Sequence, residues 1–138
     1  MVLYTIKAQG TPTGCHAFCS GAEITFSLSV SDMNCQNIWF YIGNDERVIM
    51  GREVSANNVC DGFNAEITLN TSELGADDGL YFCHFEFISG GKRYYTAFDN
   101  NENCYLSERY VNEIQLLVYN EKYTTPAWID GGVVYQIF

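Results

Sequence analysis

From Glu23 to Val30 the chain alternates without a break. Ile24, Phe26, Leu28 and Val30 stand against Glu23, Thr25, Ser27 and Ser29. A period of two puts every apolar residue on one side of an extended strand, whereas a helix would scatter them around its circumference. The same pattern returns at Phe63, Ala65, Ile67 and Leu69, set against Asn64, Glu66 and Thr68. Two half-buried strands of this length demand a second layer to cover their apolar sides.

The rest of the chain supplies one. Met1 to Lys7 alternates as a first strand. Ile38, Phe40 and Ile42 face one way, and Trp39 and Tyr41 face the other. Gly43-Asn44-Asp45 turns the chain into a short strand, Arg47 to Met50, and a polar stretch follows from Glu53 to Gly62. Asp77-Asp78-Gly79 is a turn signal. Tyr81 to Ile88 is apolar or aromatic on both sides except at His84 and Glu86, as expected of a central strand. Ser89-Gly90-Gly91 predicts a tight hairpin, because paired glycines reach positive φ without steric cost. Lys92 to Phe98 returns as an aromatic strand, Asp99 to Asn103 is a polar loop, and Glu113 to Tyr119 is a last strand with Ile114, Leu116 and Val118 inward. Aromatics at 15% suit such pleated surfaces. The expectation is an all-β fold, an immunoglobulin- or fibronectin-like β-sandwich of about seven to nine antiparallel strands, spanning residues 1–120.

Charge removes several functions. Seventeen acids against seven bases leave a net charge of −10, so there is no basic patch for nucleic acid or for an anionic membrane surface. No stretch approaches the apolar length of a transmembrane helix. The N-terminus lacks the basic and apolar regions of a signal peptide, which favours a cytoplasmic over a secreted chain. Without an export signal or a repeated spacing, the six cysteines (Cys15, Cys19, Cys35, Cys60, Cys83 and Cys104) are read as reduced thiols, with Cys15 and Cys19 the pair most able to oxidise.

Reactive chemistry is sparse. Cys83 and His84 are strand neighbours and point to opposite faces. Cys15, His16 and Cys19 have no second pair of ligands to complete a tetrahedral zinc site. Carboxylates that hydrolyse a glycosidic bond flank it at roughly 5–10 Å within a cleft, and the acids here fall in turns and on outward strand positions. Asp99 to Asn103 carries hard oxygen ligands, but they run consecutively and lack the distal Glu of a calcium loop, so a polar loop is favoured and calcium is the lesser alternative. No other cofactor or metal is expected. Asn70-Thr71-Ser72 is a formal glycosylation sequon.

Beyond Asn120 the character changes. Residues 121–132 read as a linker with Pro126 and the Gly131-Gly132 pair, and Val133 to Phe138 is a nearly continuous apolar run suited to a strand buried on both faces. Thr125-Pro126-Ala127-Trp128, the Gly131-Gly132 step and Val134-Tyr135-Gln136-Ile137-Phe138 resemble the lead-in to the catalytic barrel of the α-amylase family, glycoside hydrolase family 13. In its neopullulanase, cyclomaltodextrinase and maltogenic amylase branch the barrel follows an N-terminal β-sandwich, carbohydrate-binding module family 34. A looser likeness to that sandwich is carried by Gly21-Ala22, Gly79-Leu80-Tyr81-Phe82 and Gln115-Leu116-Leu117-Val118-Tyr119.

The resemblance implies a bacterial, non-catalytic N-terminal accessory domain of a starch- or maltodextrin-degrading glycosidase. It implies that residues 133–138 begin the first strand of a truncated (β/α)8 barrel, with Pro126, Trp128 and Tyr135 at the junction and the catalytic acids beyond Phe138. The chain itself would hydrolyse nothing. Its partners would be its own barrel, an α-glucan or maltodextrin, and a second copy in a homodimer. For carbohydrate binding the candidates are Trp39, Tyr41, Tyr94 and Tyr95, since sugar rings stack on aromatic faces; packing of these rings against the barrel is the favoured reading. The alternatives are a carbohydrate-binding module that itself takes α-glucans and a free-standing immunoglobulin-like adhesion domain.

Overall fold

A computed structural model of the chain describes residues 1–12, 15–75 and 78–120. Eleven strands form among them: β1 (Val2–Ala8), β2 (Ala17–Cys19), β3 (Glu23–Ser31), β4 (Asn37–Gly43), β5 (Val48–Val54), β6 (Ala56–Val59), β7 (Gly62–Asn70), β8 (Gly79–Ser89), β9 (Lys92–Phe98), β10 (Cys104–Ser107) and β11 (Ile114–Tyr119). The all-β expectation holds, but with more strands than about seven to nine. The surplus is β2, β6 and β10, each of three or four residues. They are too short to show an alternation. The stretch expected as a polar connection from Glu53 to Gly62 holds the end of β5 and all of β6, which hydrogen-bonds back to β7.

Two sheets result. The smaller is antiparallel in the order β1-β3-β7-β6. β3 and β7 pair in register along their whole length, from Glu23 opposite Asn70 to Ser31 opposite Gly62. Their cleanly alternating sequences therefore deliver Ile24, Phe26, Leu28 and Val30 to the same layer as Phe63, Ala65, Ile67 and Leu69, all buried. The chain closes that edge with a capping box: the Asn70 side chain accepts from Ser72 N–H at 2.9 Å, and Glu73 accepts from Asn70 N–H at 2.8 Å. The Asn70 side-chain amide also donates to Gly21 O at 3.0 Å, so the sequon's nitrogen is already committed.

The larger sheet is built on β8. One edge of β8 pairs with β4, which carries β5 outside it. The other edge is shared. Glu86 to Ser89 pair with Lys92 to Tyr95 of β9, and Gly79 to Cys83 pair with Ile114 to Val118 of β11. β10 extends the β9 branch, and β2 joins β11 in the one parallel pair among the described strands. The hairpin between β8 and β9 turns at Gly90 and Gly91, both at positive φ (56° and 77°), as the glycine pair predicts.

Rings carry much of the contact between the sheets. Phe26 of the smaller sheet meets Phe40 of the larger at 4.6 Å between centroids, and Phe63 meets Phe87 at 4.9 Å. Phe40, Phe85, Tyr4 and Phe98 continue the chain of tilted and edge contacts at 5.1, 5.6 and 5.2 Å. Such pairs add about 0.5–1.5 kcal/mol each beyond the area they bury. Among the described residues no helix is long and apolar enough to cross a membrane. Pro126, Trp128, Tyr135 and the linker and barrel-strand boundaries lie outside the described residues.

Candidate functional site

Where β8 passes from one partner to the other, its edge forks at His84 and Phe85. Phe85 N–H finds no strand carbonyl there and donates to the buried Thr96 hydroxyl at 2.9 Å. On the inner side the gap is filled by the core. On the outer side it opens a groove of about 640 Å³, walled by the β4–β5 turn and by the segment leading from β10 into β11. That volume lies within the range of small-molecule pockets.

Alternation along β4, β8 and β9 sends Trp39, Tyr41, His84, Glu86, Arg93 and Tyr95 to this face. Trp39 sits opposite Glu86, which sits opposite Tyr95; Tyr41 sits opposite His84. The Tyr41 ring stacks on His84 at 5.3 Å and 20°. It can lie flat because its other cross-strand neighbour is Gly51, where an added Cβ would stand 2.7 Å from the ring. Tyr110 meets His84 edge-on at 5.2 Å, and Tyr95 lies 6.1 Å from both His84 and Tyr110. These rings bury His84 and Glu86 on what is nominally the solvent side of the sheet.

Polar partners fix the groove. His84 Nδ1 lies 2.7 Å from Glu113 Oε2, and the Tyr110 hydroxyl donates to Glu113 Oε1. Burial is the largest influence on Glu113 and pushes its carboxyl up. The hydrogen bonds from His84 and Tyr110 outweigh it and hold the group below the usual range. Glu113 is therefore ionised at neutral pH, and Nδ1 carries the proton of that bond. Tyr110 is pushed up to about 12 by burial, and by the hydrogen bond and charge of Glu113. Glu86 pairs with Arg93, whose guanidinium lies 5.8 Å above the Trp39 ring. His84 Nε2 is 3.8 Å from Glu86, beyond hydrogen-bond range.

Three of the four aromatic candidates thus share one surface. Tyr94 does not. It stacks on Phe87 at 5.5 Å and packs against the core, since adjacent strand residues alternate and Tyr95 has taken the outward position. His84, Glu86, Arg93, Tyr110 and Glu113 complete the site, and none was singled out as a functional residue from sequence. The signal for two of them was the pair of polar residues interrupting the apolar run of β8.

The other sequence candidates separate. Cys83 points into the core with Tyr4 Oη 3.5 Å from its sulfur, and burial pushes its thiol up to about 12. Burial likewise raises Cys35 to about 11 and Cys104 to about 12. Cys15 donates to Ala17 O at 3.4 Å, and Cys60 is exposed. In the Asp99 loop the carboxylate accepts from the Asn103 side chain and from the amides of Asn103 and Asn101, bonds that lower its pKa and organise its own turn. Among the described residues there is no group of three or more His, Cys, Asp or Glu arranged to hold a metal ion. Neither a family model nor a curated protein matches this chain.

Proposed function

We propose that the chain is a non-catalytic β-sandwich accessory module of an α-amylase-family glycosidase, acting through a recognition face rather than through reacting groups. The observation that carries this reading is how the groove's polar groups are used. Glu113 is engaged by His84 and Tyr110, and Glu86 by Arg93. The neighbouring thiol of Cys83 is on the opposite side of the sheet with its pKa pushed up. Side chains so occupied hold rings in place; a hydrolytic pair would leave one carboxyl protonated and the other facing the substrate. The sequence from Thr125 to Phe138 supports the family by its resemblance to the lead-in of that catalytic barrel, and on this reading the partner is the barrel that would follow Pro126 and Trp128. Reading the gene past Phe138 tests it: barrel repeats with an Asp/Glu/Asp catalytic set support the proposal, and a frame encoding anything else sinks it.

The groove favours a second reading, a module that itself binds α-glucans. Tyr95 and Tyr110 offer ring faces beside Arg93 and Glu86, the combination that sugar hydroxyls and apolar sugar faces require. Titration with maltooligosaccharides should then change Trp39 fluorescence at millimolar ligand or below. Tyr95→Ala should weaken the response about tenfold, a loss of about 1.4 kcal/mol. A flat titration at millimolar ligand removes this reading and leaves the first standing.

A further inference from the structure

Two acceptors in the groove stand side by side without a donor. His84 donates Nδ1–H to Glu113, and Glu86 accepts from Arg93 at Oε1. That leaves His84 Nε2 and Glu86 Oε2, which are 3.8 Å apart on side chains only 6% and 10% exposed. They meet because residues two apart on a strand share a face. Neither atom makes a hydrogen bond among the described residues. Yet no side-chain nitrogen or oxygen sealed from solvent is left unsatisfied there, so both atoms open toward the groove that their side chains line.

The pair selects its donor. With its proton committed at Nδ1, the neutral imidazole presents a lone pair at Nε2. Two lone pairs at this separation repel each other and call for a shared donor. A nitrogen about 2.9 Å from each closes the gap. A single hydroxyl has one proton and serves one of them, whereas a primary ammonium has three and serves both from one atom. A metal ion is less suited, since no third His, Cys, Asp or Glu among the described residues joins them.

Charge agrees with the hydrogen bonding. Asp45, Glu46, Glu86 and Glu113 line the groove against Arg47 and Arg93, on a chain whose net charge is −10. Glu113 is held by His84 and Tyr110, with no Lys or Arg bonded to it among the described residues. The protein already seats one cation here by the same means: Arg93 lies between the Glu86 carboxylate and the Trp39 ring. A second positive charge at Nε2 would stand beside Tyr41, Tyr95 and Tyr110, whose rings surround the imidazole and attract cations through their faces.

We propose that this part of the groove binds the primary ammonium group of a small organic ligand, with His84 Nε2 and Glu86 Oε2 as its acceptors. The proposal rests on neither the accessory-module reading nor the α-glucan reading.

The test is calorimetric titration of the 138-residue chain at pH 8 in the presence of a metal chelator, with three probes. Cyclohexylammonium carries the group, and at this pH it is charged, as an alkyl ammonium titrates near 10.4. Cyclohexanol has the same ring without the charge, and cyclohexyltrimethylammonium has the charge without an N–H. The first should bind at millimolar concentration or below and at least about tenfold tighter than either of the others, as expected of hydrogen bonds to a charged donor. Glu86→Gln, whose amide can turn its own donor toward Nε2, should remove that preference. Should this variant fail to fold, long-range proton–nitrogen correlation spectra of the parent chain decide. The Nε2 resonance of His84 should be that of an unprotonated nitrogen and move on adding cyclohexylammonium, while His16, the other histidine, stays put. Equal binding of cyclohexanol overturns the proposal and gives the groove to neutral ligands. Equal binding of the trimethyl cation overturns it in favour of the rings and charge alone. A Nε2 that is protonated before any amine is added also overturns it, because His84 then bridges to Glu86 with its own proton.

Discussion

At Glu113 a carboxylate too sheltered to be happy alone is kept ionised by two donors, and this gives the protein a defined response to acid. Because the folded-state pKa is lowered, Glu113 stabilises the fold fully above its unfolded value of about 4.3. That contribution is lost as pH falls through the lower folded value. Glu113→Gln should therefore cost about 1–3 kcal/mol at pH 7, the range for removing a charged hydrogen-bond partner from a mostly buried site. The difference in unfolding free energy from the parent should shrink as pH drops from 5 toward 3. Urea titrations at each pH measure it; a difference that stays constant down to pH 3 would show that the His84 and Tyr110 bonds do not hold the carboxylate. Trp39 and Tyr41 were legible as outward residues because alternation needs only neighbours in sequence. Glu113 was not: its partner His84 is 29 residues away, and no local pattern announces a contact at that range. Tyr94 and Tyr95 are both sequence candidates for stacking on sugar rings, and period two sends them to opposite faces of the sheet.

Most of the longer strands were legible almost to the residue; β5, expected over Arg47 to Met50, runs on to Val54. β3 and β7 match their expected spans within a residue or so, because each alternates for seven residues or more; β9 matches because the Gly90-Gly91 turn and the polar Asp99 loop bound it. The fork of β8 left no such mark, since it depends on where β11 returns rather than on β8's own sequence. Its one local trace is Thr96, a hydroxyl buried on an aromatic strand. Thr96→Val preserves shape and removes the acceptor for Phe85 N–H, leaving a buried amide unbonded. A loss of about 1–3 kcal/mol is expected, read as a lower urea midpoint with the slope unchanged. A loss below about 0.3 kcal/mol would mean that Phe85 N–H finds another partner.

Over the whole molecule the acid excess is carried by a fold with few compensating pairs. Among the described residues Arg52–Glu73 and Lys92–Glu108 are exposed ion pairs, a class worth about 0–1 kcal/mol. Self-repulsion at a net charge of −10 should thus weaken the folded state at low ionic strength. Raising salt from about 0.01 to 0.15 M shortens the screening length from about 30 to 8 Å and should raise Tm by about 2–5 °C. A Tm that falls instead would mean that attractive pairs dominate. The parallel pairing of β11 with β2 has a mechanical consequence. Leu117 N–H bonds His16 O at 2.8 Å and Ser20 N–H bonds Tyr119 O at 2.8 Å, while β8 grips the other edge of β11. A pull on the chain beyond Asn120 runs along β11 and loads both ladders at once, in shear. Tension arriving from whatever follows would meet the strand from its strongest direction, and the outermost layer of the sandwich would hold as a single clamp instead of opening bond by bond.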